Sequence, residues 1–252
     1  MRPDSPTQQK IKQREEHIVQ AALKQIDKAG YGSLTLEQLA RDVKCSKGTV
    51  YNHFANKEDL LVELGARCCH EQLKFYNKLN DYEGNSREKI MAIFLAYQIY
   101  SFLNPALFIC ILNLQNTSVM ERASEDRLNR YRIKEMGVVS RLVTTIQGGV
   151  DDGDIEVENQ SDVLRLAFTG WALAFGNISL MMSAQGAFLT QQTDREKQLF
   201  MSVQMLLDGG NWLPLSKDKD YEKSWHEIGQ RFFSSELEEL EPGQSNKKGS
   251  FG

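Results

Sequence analysis

Between positions 46 and 54 the chain reads Ser-Lys-Gly-Thr-Val-Tyr-Asn-His-Phe, and most of these side chains are built to meet something polar. Lys47, Thr49, Tyr51, Asn52 and His53 supply donors and flat rings with almost no apolar bulk. Such a set suits phosphate oxygens and base edges. Asn52 can pair in bidentate fashion with an adenine edge, and the Thr49 methyl can meet a thymine methyl. Contacts of this kind are worth about 1–3 kcal/mol of discrimination each. Gly48 sits among them although glycine inside a helix costs roughly 1 kcal/mol relative to alanine, which makes sense where a helix backbone must approach another surface closely. A catalytic reading finds less support. The four histidines, His17, His53, His70 and His226, are scattered and none accompanies a catalytic motif, so the chemistry expected is binding, not catalysis.

Those side chains need a scaffold, and local signals describe one. Thr35 with Gln38 three residues on forms a capping box that opens a helix, whose apolar face is Leu36, Leu39, Ala40 and Val43 at helical spacing. After Lys44 and Cys45, Ser46 caps a second helix with Val50 and Phe54 turned inward. Asn56 caps a third, with Glu58 and Asp59 in the first turn where the helix dipole favours negative charge. Two short helices joined by a tight turn, followed at once by a third, is the pattern of a helix-turn-helix. Lys, Thr, Asn and His on a helix surface are most often merely solvated. Their fixed spacing over some thirty residues is what argues for a ligand.

Residues 30–61, GYGSLTLEQLARDVKCSKGTVYNHFANKEDLL, resemble the DNA-binding domain of the TetR family of transcriptional regulators. The resemblance lies in Gly-Tyr, the Thr that opens the first helix of the motif, an Ala, Ser-Lys-Gly-Thr, Tyr-x-His-Phe, and Lys followed by acid and leucines. It implies that Thr35, Lys47, Tyr51, His53 and Lys57 grip phosphates while Gly48, Thr49 and Asn52 lie nearest the bases. One departure stands out: Lys44 occupies the turn position where the family usually has Gly, and Cys45 follows where Val is usual. If the backbone is left-handed there, lysine costs about 1–2 kcal/mol, and Lys44 is expected to gain a phosphate contact in exchange.

The 252 residues carry a formal net charge of −4, which argues against indiscriminate nucleic-acid binding but not against a local basic face. Lys10, Lys12, Arg14, Lys24, Lys28, Arg41, Lys44, Lys47 and Lys57 fall in the first 57 residues, whereas Asp151, Asp152, Asp154 and the Glu236–Glu241 run come later. No continuous apolar run of about 20 residues is evident and the first residues are polar, so a cytoplasmic protein is expected, without a membrane partner. Cys45, Cys68, Cys69 and Cys110 lack framework spacing and are expected to stay reduced. Vicinal Cys68 and Cys69, pointing about 100° apart on a helix, do not build a metal site with His70. The turn Asp151-Asp152-Gly153-Asp154 lacks the ligand spacing of a calcium loop. No metal and no cofactor is expected.

Helical periodicity dominates the remainder, so the fold class expected is all-α: a helix-turn-helix module over residues 1–60, a larger helical effector-binding and dimerisation domain over 61–215, and an additional helix with a disordered tail over 216–252. Residues 1–8 read as a loose arm, followed by a helix from about Gln9 to Ala29. Helices are expected over about 57–79, 87–103, 106–116 and 121–147, the last stopped by Gly148 and Gly149. Asn104 and Pro105 separate the second and third of these. Ser161 to Ala184 is the most apolar helix, interleaving small residues with Phe168, Trp171 and Phe175. Thr193 with Glu196 is read as a capping box opening a helix to about Leu207, and Asp220 to about Leu240 as a last amphipathic helix. The helices beginning at Ser161 and Thr193 are candidates for a four-helix dimer interface. Phe94, Tyr97, Phe108, Leu112, Trp171 and Phe175 are candidates to surround a small hydrophobic or acyl-type effector.

The resemblance further implies a homodimer whose two modules read half-sites of a double-stranded, near-palindromic DNA operator about 34–36 Å apart. An effector would release it, provided it binds one subunit arrangement better than the other. Repression is the expected mode. The competing reading is a helical dimeric scaffold without ligand response, which leaves the chemistry of residues 46–57 without a purpose.

Overall fold

The computed structural model describes residues 5–184 and 186–241, and these form twelve α-helices without a strand among the described residues. The chain divides into two compact units, each discontinuous in sequence: residues 1–70 with 104–135, and residues 71–103 with 136–252.

In the first unit, α1 (Pro6–Ala29) is opened by a reciprocal capping box between Ser5 and Gln8 and closed by Gly30 at φ +74°. The helix therefore starts earlier than the loose arm expected over residues 1–8 would allow; residues 1–4 of that arm lie outside the described residues. Ile18, Val19, Ala22 and Ile26 are buried along one stripe, while Ile11 is half exposed. A 3-10 turn (Tyr31–Ser33) leads to α2 (Leu36–Asp42), α3 (Lys47–His53) and α4 (Lys57–Asn77). Leu60, Leu61 and Leu64 of α4 are fully buried. Gly65 allows α4 to approach closely: a Cβ there would lie 2.7 Å from a Leu114 methyl and 3.3 Å from the Tyr131 ring. Leu114 ends α6 (Pro105–Leu114), which starts on Pro105 after a break at Asn104, where a missing N–H costs a helix nothing. In place of one helix from 121 to 147 there are two, α7 (Thr117–Arg122) and α8 (Glu125–Asp151), separated because Ala123 turns to extended backbone.

The second unit is organised on α5 (Ser86–Leu103), which is buried on every side, as a helix apolar all round must be. Gly148 and Gly149 do not stop α8, which runs on to Asp151; Gly149 is there because the Trp212 ring packs where its Cβ would be, 2.6 Å away. Gly153, at φ +74°, makes the turn. The Asp154 carboxylate accepts from the Ser86 hydroxyl at 2.6 Å. α9 (Gln160–Ser183) brings Gly170 against the Phe94 ring. By length and composition α9 is apolar enough to cross a membrane, which corrects the expectation that no such run exists. Its Ala167, Gly170, Ala174 and Ile178 are nevertheless buried in the fold. A short α10 (Phe188–Gln191) precedes α11 (Gln198–Gly209). Thr193 does not cap it: its hydroxyl bonds back to the Leu189 carbonyl, and Asp194 takes the amides of Glu196 and Lys197 instead. α12 (Tyr221–Leu240), capped by Asp220, packs on α5, with Ile228 and Phe233 fully buried and Phe233 stacked on Phe75 at 5.9 Å. The tail expected to be disordered, residues 242–252, lies outside the described residues.

Arg87, wholly buried, ties this unit together. Its guanidinium donates to the carbonyls of Trp212 and Pro214 and to the Gln204 side chain at 2.7–3.1 Å, and pairs with Asp208 at 2.7 Å.

Candidate nucleic-acid interface

The first helix of the motif is capped by half of the expected box. The Thr35 hydroxyl accepts from the Gln38 amide at 3.2 Å, but the Gln38 side chain turns to Asp42 and Arg41 instead of returning to Thr35. The turn that follows closes with Cys45 N–H on the Ala40 carbonyl at 3.0 Å and Lys44 N–H on the Arg41 carbonyl at 3.1 Å, the Schellman arrangement. Lys44 adopts φ +52° in the position that arrangement reserves for glycine, so the strain anticipated from its departure is present.

In α3, Ser46 accepts from the Thr49 amide at 3.1 Å and shares a hydrogen bond with its hydroxyl at 2.8 Å. That leaves the Thr49 methyl as the part of the side chain still uncommitted. Val50 and Phe54 have no solvent exposure, whereas Lys47, Gly48, Tyr51 and Asn52 are exposed, as are Lys44 and Thr35. A Cβ on Gly48 would find only the Ser46 hydroxyl, at 3.9 Å, so nothing among the described residues calls for a glycine there. The Tyr51 hydroxyl donates to Glu37 at 2.8 Å, which holds the Glu37 carboxyl below its usual range and pushes the Tyr51 hydroxyl up.

Two further expected phosphate ligands are engaged within the chain and drawn away from the surface. The His53 side chain is only 8% exposed, with Nδ1 3.3 Å from a Glu15 oxygen. Lys57 donates from Nζ to the Tyr31 carbonyl at 2.8 Å and lies 4.0 Å above the Tyr31 ring, and burial lowers its ammonium pKa. The structure thus gathers Lys44, Lys47, Gly48, Thr49, Tyr51 and Asn52 on the accessible part of the motif and places His53 and Lys57 in its framework.

Sequence reasoning missed Glu15, Glu37 and Arg127. Burial works to raise the Glu15 carboxyl, but hydrogen bonding and charge from Arg127 and His53 outweigh it, and the net shift is downward. No local spacing signals these groups, because their partners lie 14 to 112 residues away.

The six effector candidates divide between the two units. Phe108 and Leu112 belong to α6 of the first unit. In the second, Phe94 and Tyr97 are buried on α5, while Trp171, 37% exposed, meets the Phe168 ring edge-on at 6.0 Å and the Phe175 ring at a tilt at 5.4 Å along α9. Phe94 alone among them lines the small internal cavity, with Ile90, Leu142, Ile146, Gly170 and Trp212; its volume is about 20 Å³, room for roughly one water.

Fold and site together define an all-helical protein with an N-terminal helix-turn-helix whose second helix carries a free polar face. Residues 18–64 match the family described as bacterial regulatory proteins, tetR family. It is 37% identical over 54 residues to the uncharacterized HTH-type transcriptional regulator YuxN of Bacillus subtilis (strain 168), a match covering 21% of this chain and 19% of that one. The chain spans about a fifth of the length of the curated relatives it matches. Solved structures extend the likeness of fold further. The fatty acid degradation regulator FadR from Bacillus halodurans aligns with TM-score 0.61 at 17% identity, over 82% of this chain and 98% of that one. FadR from Bacillus subtilis in complex with stearoyl-CoA aligns with TM-score 0.56 at 18% identity, over 77% and 98%.

Proposed function

We propose that this protein is a transcriptional regulator that binds a double-stranded DNA operator through α3, with Lys44, Lys47 and Tyr51 on phosphates and Gly48, Thr49 and Asn52 against base edges. The observation that carries the reading is the division of α3 itself: Val50 and Phe54 are fully buried, while Lys47, Gly48, Tyr51 and Asn52 face out with an empty volume above Gly48. Thr35 supplies a further phosphate contact at the mouth of the motif, and His53 and Lys57 serve it from beneath by holding α3 and α4 in place. Selecting duplexes from a random pool with the full chain tests this directly. A palindromic consensus is expected; retention of duplexes without any common sequence would contradict it.

The partner is a second copy of the same chain. Leu164, Phe168, Trp171 and Leu180 on α9 and Met201 and Met205 on α11 are exposed large apolar residues, an area that a lone subunit would leave against water. Pairing α9 and α11 across a twofold axis makes a four-helix bundle. Trp171 and Phe175 are accordingly assigned to this face.

Control comes from a small hydrophobic or acyl-type effector, bound in the second unit around Phe94 and Tyr97, whose arrival disfavours the DNA-bound state and relieves repression in the cytoplasm. The apolar lining of the cavity supports this, as does the stearoyl-CoA held by the similarly folded Bacillus subtilis protein. The cavity must open for any such ligand to enter. Trp212 lines it, so a titration with acyl-CoA esters of increasing chain length should change tryptophan emission, and silence across the series would remove the acyl reading.

A further inference from the structure

We propose that Arg127 is the positioning residue through which α8 fixes the pose of α3, an inference that rests on α3 being the DNA-reading helix. Arg127 is 7% exposed and lies in the first turn of α8. Nη1 reaches Glu15 of α1 at 2.8 Å and Glu63 of α4 at 2.5 Å, and Nη2 donates to the His53 carbonyl at 2.9 Å. The guanidinium also lies over the Phe54 ring at 4.5 Å. His53 is the last residue of α3, so this is one of the carbonyls a helix end leaves without an internal partner, and a cation there also suits the helix dipole. Only a planar, multiply donating cation can serve three acceptors on three helices and stack at the same time.

Neighbouring residues reinforce the same grip. Ser124 N–H donates to the Asp59 carboxylate at 2.7 Å, and the Asn56 amide donates to the Arg122 carbonyl at 3.0 Å. The segment from Arg122 to Arg127 therefore holds the segment from His53 to Asp59 at both ends. A helix of seven residues does not hold its own orientation or even its own structure, and takes both from such contacts.

The test uses the full chain and a duplex selected by it. Removing Arg127 alone would leave Glu15 and Glu63 charged and unpaired, so the variant is Arg127→Met combined with Glu15→Gln and Glu63→Gln. Hydrogen exchange of the Val50–Phe54 amides should be about tenfold faster or more than in the native chain, a factor equivalent to about 1.4 kcal/mol. The amides of Ala22–Ile26 should be unchanged. Affinity for the duplex should fall by a similar factor while the slope of log affinity against log salt stays as it was, because no phosphate contact has gone. Lys47→Ala, by contrast, should lower that slope by about one. Should the triple variant fail to fold, Arg127→Lys, which keeps the charge but loses the stack and the fork, carries the same two readouts. Native exchange rates at Val50–Phe54 would overturn the inference, and so would a salt slope reduced by about one, which would make Arg127 a phosphate ligand. If the native chain selects no duplex, the DNA reading falls by itself, and exchange at Val50–Phe54 still decides whether Arg127 holds α3.

Discussion

Of the helices of this protein, α3 and α9 turn side chains outward in opposite chemical styles. α3 shows Lys47, Gly48, Tyr51 and Asn52, short or polar groups around an open backbone. α9 shows Leu164, Phe168, Trp171 and Leu180, with rings in contact along the helix. A polyanion with a wide groove favours the first surface, since charge and hydrogen bonding supply its affinity and specificity. A second apolar helix favours the second, since burial of area supplies the driving force. Exposure alone says little about a surface; what its side chains can exchange for water says what it is for.

The largest effect should come from crossing the two styles with the core beneath them. Phe54→Ala, on the inner face of α3, should cost about 3–5 kcal/mol of stability by opening a cavity, readable as a lowered chemical-denaturation midpoint. Next, Phe168→Asp should convert the dimer to monomer by sedimentation and weaken operator binding by about a hundredfold, a loss of about 2.7 kcal/mol as two half-sites cease to act together. If the monomer binds as well as the dimer, the contrast between the two faces is broken. Asn52→Ala should cost about 1–3 kcal/mol for the selected duplex and relax specificity at one position in each half-site.

Two smaller effects sharpen the picture of the framework under α3. Glu15 has a folded pKa below its usual 4.5, so the stability it contributes is present above that value and disappears as pH falls through the lowered one. Glu15→Gln should therefore flatten the acid limb of the stability profile, while a profile as steep as the native one would show that Arg127 and His53 do not hold the carboxylate. Finally, Lys44→Gly should raise stability by about 1 kcal/mol by relieving the left-handed backbone, yet weaken DNA binding and reduce the salt slope if the lysine grips a phosphate. Stabilisation with undiminished affinity would remove Lys44 from the interface.

Several features carried by residues three or four apart were legible in the sequence, although the Thr193–Glu196 box was not one of them. Ser46 and Asn56 cap where their types and spacing indicate, and the inward pair Val50 and Phe54 is set by helical period. Features that depend on distant partners were not. His53 has the donors of a phosphate ligand, but Glu15, 38 residues earlier, turns it inward; Lys57 is drawn to the Tyr31 carbonyl in the same way. Gly149 reads as a helix stop until Trp212 is seen packed against it. The apolar helices of the second unit illustrate the remaining gap. Periodicity marks Phe94 and Trp171 alike as large groups on a helix, and only packing shows that one lines a cavity and the other faces out.

Gly48→Leu separates the account from its rivals most directly. Among the described residues, only the Ser46 hydroxyl comes within van der Waals reach of a Cβ at Gly48 from outside its own helix backbone and chain neighbours, and leucine is the better helix former by roughly 1 kcal/mol. The variant should melt at or above the native temperature and yet lose measurable affinity for the selected duplex, because the added bulk stands where the groove wall must come. A variant that binds that duplex as the native chain does would contradict the claim that α3 meets DNA through this face.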